Sequence, residues 1–504
     1  MLPRLTGLRE TRGDRARALG ALRYDSRTVA AGDVFVAING RDDHGLEYVG
    51  DALDRGATTL IIDAPESLDA ATLAREDVTT IIVDDARVAM AQMAIAMHGD
   101  PSRRVKLYGV TGTNGKTTTT WVLRQLLEAV GERVGVIGTL GAMVDTIVPT
   151  GYTTPESPEL LTILNTMATE GCTAVAMEVS SHALALHRVD GLGFAGAIFT
   201  NLTQDHLDFH DSIESYRDAK KLLFDRLDAD RPAVVNVDDV HGRAMVRDSH
   251  ARVLRFGSAA NADALVTGVR STADGSAWSL KLGPSLGSAQ LELRMPLVGR
   301  FNVWNVTAAL LLALAEGHDR DRLVEAVASL RPVPGRMESI RLDNGATAVV
   351  DYAHTPDALD NVLSTLQEVR TDGGRIITVF GCGGDRDRTK RPQMGAIAAA
   401  GSDRVIVTSD NPRSEDPAAI IDAIVAGIDR RDGVQSIVDR REAIIAALES
   451  ARSGDIVLIA GKGHETDQIV GDERRHFDDR EVVREWNRPF AAHDGHDRED
   501  VAAA

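Results

Sequence analysis

The run Gly109-Val-Thr-Gly112-Thr113-Asn114-Gly115-Lys116-Thr117-Thr118 sets glycines, a lysine and hydroxyls directly behind an apolar stretch, residues 105–110. A glycine-rich turn between a strand and a helix stacks backbone N–H groups that can cradle phosphates. In such a turn Lys116 can reach terminal phosphates and Thr117 can ligate Mg²⁺. The chemistry this implies is the use of a nucleoside triphosphate. The usual pattern has a glycine five residues before the second glycine of the Gly-Lys-Thr run. Here that position is Val110, with Gly109 one step earlier and Gly112 inside the loop.

Two further clusters follow apolar runs. Residues 173–178 end in Glu178, and an acid on a strand beside such a loop commonly holds the nucleotide's Mg²⁺. Ser180-Ser181-His182 comes next. Residues 197–200 lead into Asn201-Leu-Thr-Gln-Asp205-His206-Leu-Asp208-Phe-His210. Two histidines and two aspartates suggest zinc at first sight, but no separated cluster of soft ligands accompanies them, so Mg²⁺ or phosphate work fits better. Lys220, in Tyr216-Arg-Asp-Ala-Lys220-Lys221, reads on composition alone as a solvated helix lysine.

The elements that must position these groups alternate along 504 residues, a length that suggests about three domains. Residues 1–103 read as a small α/β unit with strands at 34–38, 59–62 and 80–83 and helices at 48–55 and 86–98. Residues 104–334 carry strands at 134–137, 173–179, 196–200 and 233–236, with helices near 117–130, 158–170, 213–227 and 302–315. Such alternation predicts a mostly parallel sheet with helices on both faces. Residues 252–298 read instead as an antiparallel insertion, and 331–335 as a linker. Residues 335–490 repeat the α/β rhythm. Four strands there (346–350, 376–380, 405–408 and 456–460) end in polar loops, and ligands of open α/β sheets bind beyond such ends. Residues 491–504 read as a disordered tail.

The formal net charge of −19 argues against nucleic acid or an anionic membrane as partner. Cys172 and Cys382 lack CxxC partners and read as small core residues. The amino terminus has no signal-peptide core, and the longest apolar run, near 308–315, is too short to span a bilayer. A cytoplasmic enzyme without membrane insertion is the expectation.

Seven motifs occur in order: Gly112-Thr-Asn-Gly-Lys-Thr117, Glu178-Val-Ser-Ser-His182, Thr200-Asn-Leu-x-x-Asp-His206, Tyr216-x-x-Ala-Lys220, Gly299-x-Phe-Asn302-x-x-Asn305, Pro334-Gly-Arg336 and Asp351-Tyr-Ala-His354-Thr-Pro356. Together they resemble the Mur ligase family of peptidoglycan synthesis, over about residues 20–485. Asp410-Asn411-Pro412-Arg413 narrows the resemblance to the branch that adds diaminopimelate to UDP-MurNAc-L-Ala-D-Glu.

The resemblance implies three domains: 1–103 for the UDP substrate, a central P-loop domain at 104–334 and a Rossmann-like, amino-acid-binding domain at 335–490. It implies a monomer acting on small molecules, with ATP driving amide formation through an acyl phosphate. Lys116, Lys220 and His206 would be catalytic. Lys220 would be carbamylated and would hold Mg²⁺ with Thr117, Glu178 and His206. ATP would lie on Gly112 to Thr118, Asn302, Asn305, Arg336, Asp351 and His354. Tyr24, Ser26, Arg41, Asp42 and Asp43 would hold the UDP part, and Thr153, Thr154, Ser180 and Arg188 the muramoyl peptide. Arg386, Asp410, Asn411, Pro412, Arg413, Gly461 and Glu465 would hold diaminopimelate. Diaminopimelate differs from lysine by one carboxylate, and the bidentate guanidinium of Arg413 suits that group. Two other readings are a folylpolyglutamate synthase, which shares the plan but lacks a UDP-binding domain, and a P-loop GTPase. The chain has no Asn-Lys-x-Asp guanine motif, which weighs against the second.

Overall fold

The computed structural model describes residues 5–40, 44–206, 209–272, 275–429 and 432–487, so the expected tail lies outside the described residues. The chain divides into two compact units. One holds residues up to Leu330 apart from 271–275 and 297–299, and the other holds those stretches with the chain from Arg331.

The first unit carries two sheets. The smaller has the strand order Leu8–Arg12, Thr79–Val83, Thr59–Ile62, Val34–Val36, Leu22–Arg23. Its inner strands are buried along their length, which is why they read as unbroken apolar or threonine runs. Leu8–Arg12 is a mostly exposed antiparallel edge that the sequence does not announce. Helix Ala86–His98 follows, capped by the Asp85 carboxylate and ended at Gly99 with φ of 75°.

The larger sheet has eleven strands. At its centre Gly196–Phe199, Lys106–Thr111, Ala174–Glu178 and Val134–Gly138 run parallel in that spatial order. Val110 is level with both Glu178 and Ile198, so three carboxyl ends finish together. The expected helices are found as Lys116–Ala129, Ser157–Thr169, Ile213–Asp225 and Arg300–Ala315. Cys172 and Cys382 are both buried.

Residues 252–298 differ from the expected antiparallel insertion. Arg252–Gly257 runs parallel to Pro232–Asn236, and Phe256 and Gly257 pair in parallel with Ala264 and Leu265. Antiparallel pairing is seen between Gly275–Leu282 and Ala289–Met295. The segment thus extends the central sheet. Its strands have one wet face, and the resulting alternation of buried and exposed residues imitates an antiparallel ribbon.

The second unit is built on six strands in the order Glu338–Arg341, Thr347–Asp351, Ile456–Ala460, Ile376–Phe380, Arg404–Val407, Val434–Ser436. The first is antiparallel and the others parallel. Val350, Ile377, Val379, Val457 and Ile459 form its core with Ile444 and Leu448 of helix Arg440–Ser450. The polar loops at 351–354, 381–386, 408–413 and 461–465 all leave the carboxyl ends of parallel strands.

Candidate active site

Helix Lys116–Ala129 starts where the glycine-rich turn ends. Gly115 is left-handed, with φ of 85°, and a Cβ there would run into Asn305 Oδ1. Gly112, at φ of 154°, has no room either, since a Cβ would collide with Thr200 Oγ1. These two close approaches explain why glycine stands at 112 and 115. The turn is fastened from outside: Thr113 N donates to Asn201 O at 2.8 Å, Asn114 N to Asn201 Oδ1 at 3.0 Å and Thr200 Oγ1 to Asn114 O at 2.7 Å. Thr117 and Thr118 are buried at the helix start. Asn302 and Asn305 lie one turn apart on helix Arg300–Ala315, with Asn305 Nδ2 donating to Asn302 Oδ1 at 3.3 Å.

Lys116 Nζ donates to the carbonyls of Gly112 and Thr113, at 2.9 and 2.8 Å. Lys220 is not the solvated helix lysine that composition suggests. It is 1% exposed, its Nζ donates to Gly112 O at 3.0 Å, and the amine sits 4.3 Å from the centre of the Tyr216 ring. Burial, aided by the neighbouring Lys116 ammonium, pushes this amine well below the ordinary lysine range. Ser212 caps helix Ile213–Asp225 through a reciprocal box with Ser215, which fixes where Tyr216 and Lys220 point.

Tyr216 belongs to the motif that ends in Lys220, and the motif alone assigns it no role. Its hydroxyl lies 3.2 Å from Thr113 Oγ1, and its ring faces His210 at 5.1 Å and His206 at 6.0 Å. His206 has φ of 54°, its ring 4.8 Å from that of His182. Tyr216 thereby links the loop, Lys220 and the histidine cluster.

Glu178 is 1% exposed at the end of its strand. Its carboxylate accepts from Thr139 N at 2.9 Å and Thr139 Oγ1 at 3.1 Å, and Thr139 Oγ1 lies 3.2 Å from Thr153 Oγ1. Thr154 Oγ1 donates to Glu178 O, and Ser180 N donates to Thr154 Oγ1. Arg188 donates to Thr154 O at 2.9 Å and stacks on the Tyr152 ring at 4.8 Å. The structure therefore brings Glu178, Thr153, Thr154, Ser180 and Arg188 together. Tyr24 hydrogen-bonds Glu159, and Ser26 is buried in the turn Ser26–Thr28 and bonds Asp51. Arg41, Asp42 and Asp43 lie outside the described residues. A cavity of about 320 Å³, lined in part by Arg104, Lys106 and Thr173, lies at the opposite, amino ends of the central strands, away from these groups.

In the second unit Asp351 is buried and accepts from Met337 N at 2.7 Å. Burial raises its carboxyl above the ordinary range, against the pull of Arg336. The Arg336 guanidinium lies 4.5 Å over the Tyr352 ring, which also faces His354 at 4.5 Å and His464 at 4.8 Å. Tyr352 and His464 stand in the polar loops named above, yet their residue types alone assign them no role.

The loops at 408–413 and 461–465 interlock. Asn411 Nδ2 donates to Glu465 Oε2 at 2.9 Å. The fully buried Lys462 donates to Asn411 Oδ1 and Glu465 Oε2, both at 3.1 Å. A Cβ on Gly461 would lie 2.5 Å from Asp410 Oδ2. Arg413 has φ of 51° and donates through one guanidinium nitrogen to Gly384 O at 2.8 Å. Arg386, on the facing loop, is exposed and donates to Asp385 O. Lys462 sits in the same polar run as Gly461 and Glu465, and its burial could not be read from that run.

Comparison with known proteins agrees with this geometry. Three family descriptions match in order: "Mur ligase family, catalytic domain" over residues 19–98, "Mur ligase middle domain" over 110–313 and "Mur ligase, glutamate ligase domain" over 335–463. A UDP-N-acetylmuramoyl-L-alanyl-D-glutamate–2,6-diaminopimelate ligase of Geobacillus kaustophilus is 44% identical over 92% of this chain and 94% of its own. A solved structure of a ligase of the same name is 35% identical, with a TM-score of 0.65 over 92% of this chain and 94% of that one. A folylpolyglutamate synthase of Mycobacterium tuberculosis shares the fold at 20% identity and a TM-score of 0.61, over 74% of this chain and 91% of that one. With three family models matched in order and a relative 44% identical over nearly its whole length, the chain belongs to the Mur ligase family.

Proposed function

We propose that this chain joins diaminopimelate to the D-Glu carboxylate of UDP-MurNAc-L-Ala-D-Glu, with ATP converted to ADP and phosphate, in cytoplasmic peptidoglycan synthesis. The observation that carries this reading is the 44% identity, spanning nearly the whole chain, to a ligase whose name states that reaction. The domain boundaries that go with it are 103 and 334, and the working form is a monomer.

The D-Glu carboxylate attacks the γ-phosphorus and ADP departs, leaving an acyl phosphate. The amine of diaminopimelate then attacks the acyl carbon, loses a proton and expels phosphate. The loop N–H groups from Gly112 to Thr118 and the Lys116 ammonium stabilise charge on the moving phosphoryl group. By the family resemblance, Asn302 and Asn305, one turn apart on their helix, take part in holding ATP. Tyr24 and Ser26 hold the UDP part, while Thr153, Thr154, Ser180 and Arg188 align the peptide.

Hard oxygen donors suit Mg²⁺, and the Thr117 hydroxyl and the buried Glu178 carboxylate fit it, with His206 joined to them by the family resemblance. Among the described residues no three His, Cys, Asp or Glu side chains form a metal cluster. Carbamylated Lys220 supplies the further carboxylate-like donor. A neutral amine is the form that adds CO₂, and burial shifts Lys220 toward that form, which supports this role. When bound, Mg²⁺ neutralises charge on the phosphates.

Arg413 and Arg386 bind carboxylates of diaminopimelate, with Pro412 and Asp410 shaping the loop. Glu465 and the Gly461 backbone take an ammonium end. Rejection of lysine follows from leaving Arg413 unpaired. A steady-state assay of phosphate release tests the reading. Release should require ATP, UDP-MurNAc-L-Ala-D-Glu and diaminopimelate together, and equal release with any one omitted would overturn it.

A further inference from the structure

Glu156 has no place in the chemistry above, yet it is 4% exposed and paired with two arginines. Both of its oxygens accept from Arg87 at 3.2 Å, and Oε1 also accepts from Arg188 at 2.8 Å. Arg87 comes from helix Ala86–His98 beside the small sheet, and its other terminal nitrogen donates to Asn39 O at 2.9 Å. Arg188 follows the short helix Ser181–Ala185 of the large sheet, and its other terminal nitrogen donates to Thr154 O. One buried carboxylate thus ties a strand end of the small sheet to the Thr154 turn.

The same helix start makes a second link. Glu156 precedes helix Ser157–Thr169, and Glu159 in its first turn hydrogen-bonds Tyr24. The two arginines and Glu156 together carry one net positive charge in a poorly hydrated place. Such a cluster persists only if its geometry is fixed, since removing the carboxylate leaves two guanidiniums buried without a counter-charge.

We propose that Glu156 is a positioning residue of the nucleotide-peptide site. It aims Arg188 at the anionic substrate and holds the Arg87–Asn39 side in register with it. This rests on the placement of the UDP-MurNAc-dipeptide given above. Glu156 itself touches no substrate.

The test is steady-state kinetics on the full chain with Glu156→Gln, Arg188→Lys and the double variant. Glu156→Gln should raise KM for UDP-MurNAc-L-Ala-D-Glu about tenfold, leaving KM for ATP and for diaminopimelate within about twofold. In the double variant the two effects should fail to multiply, because both act through one guanidinium. A merely structural role would raise all three KM values alike, and that result would overturn the proposal. If Arg188→Lys raises the nucleotide-peptide KM and Glu156→Gln does not, the positioning role fails and the site placement stands. If Arg188→Lys leaves that KM unchanged, the placement fails and the proposal with it. Should Glu156→Gln not fold, Glu156→Asp, which keeps the charge and shortens the reach, is held to the same outcomes.

Discussion

Lys116 and Lys220 donate to one and the same carbonyl, that of Gly112, at 2.9 and 3.0 Å. Burial, and then repulsion from the Lys116 ammonium, push the Lys220 amine well below the ordinary lysine range. That shift favours the neutral amine, the nucleophile that a carbamate needs. Lys220→Ala should lower turnover by at least about 100-fold, the scale of losing one charge-stabilising group. Added bicarbonate should not restore it. Near-normal rates in that variant would remove the carbamate role.

Gly112 tests the phosphate loop without touching a charge. Its φ of 154° and the close Thr200 hydroxyl leave no room for a Cβ. Gly112→Ala should weaken ATP binding at least about tenfold, or about 1.4 kcal/mol, by calorimetry. Unchanged affinity would show that the turn does not cradle phosphates.

Arg440 and Asp479 form a wholly buried pair at 2.8 Å, and Arg440 also donates to Ser409 O, inside the first of the two interlocked loops, and to Ala460 O, just before the second. Arg440→Met should cost about 3–5 kcal/mol in denaturant unfolding, because it strands the Asp479 charge. It should also raise KM for diaminopimelate.

His464 gives a pH dependence with a definite sign. Burial, helped by Arg336 and Arg480, pushes its imidazole down to about 3, against an ordinary value of 6.5. Between those values the unfolded chain binds the proton and the folded chain does not. The contribution to stability is therefore complete above about 6.5 and declines as pH falls toward about 3. The stability difference between the parent and His464→Phe should shift against the parent across that window, measured by urea unfolding. A pH-independent difference would contradict the burial of a neutral ring.

Much of this was legible beforehand for identifiable reasons. The glycines at 112 and 115 record the shape of the turn's backbone, since neither position has room for a Cβ. Glu178 was legible because a buried strand rarely ends in an acid without cause. Lys220 and Lys462 were not legible from their surroundings: each sits in a polar run, and burial depends on what packs over it from elsewhere. Only the motif resemblance singled out Lys220, and nothing singled out Lys462. Arg252–Gly257 differs from expectation because a parallel strand with one wet face alternates like an antiparallel one. Glu156 drew no notice, since its two arginines lie far away in the chain.

The central claim is that Arg413 names the amine. Its guanidinium is steadied by Gly384 O and by a left-handed backbone at residue 413. Losing a charged hydrogen bond to it should cost about 1.5–3 kcal/mol, or roughly 10- to 150-fold in kcal terms converted to rate. The direct measurement is the mass of the nucleotide product when ATP and UDP-MurNAc-L-Ala-D-Glu meet an equimolar mixture of lysine and diaminopimelate. The parent chain should give the diaminopimelate adduct almost alone, and Arg413→Met should lose that preference. Comparable amounts of the lysine adduct from the parent chain would contradict the account.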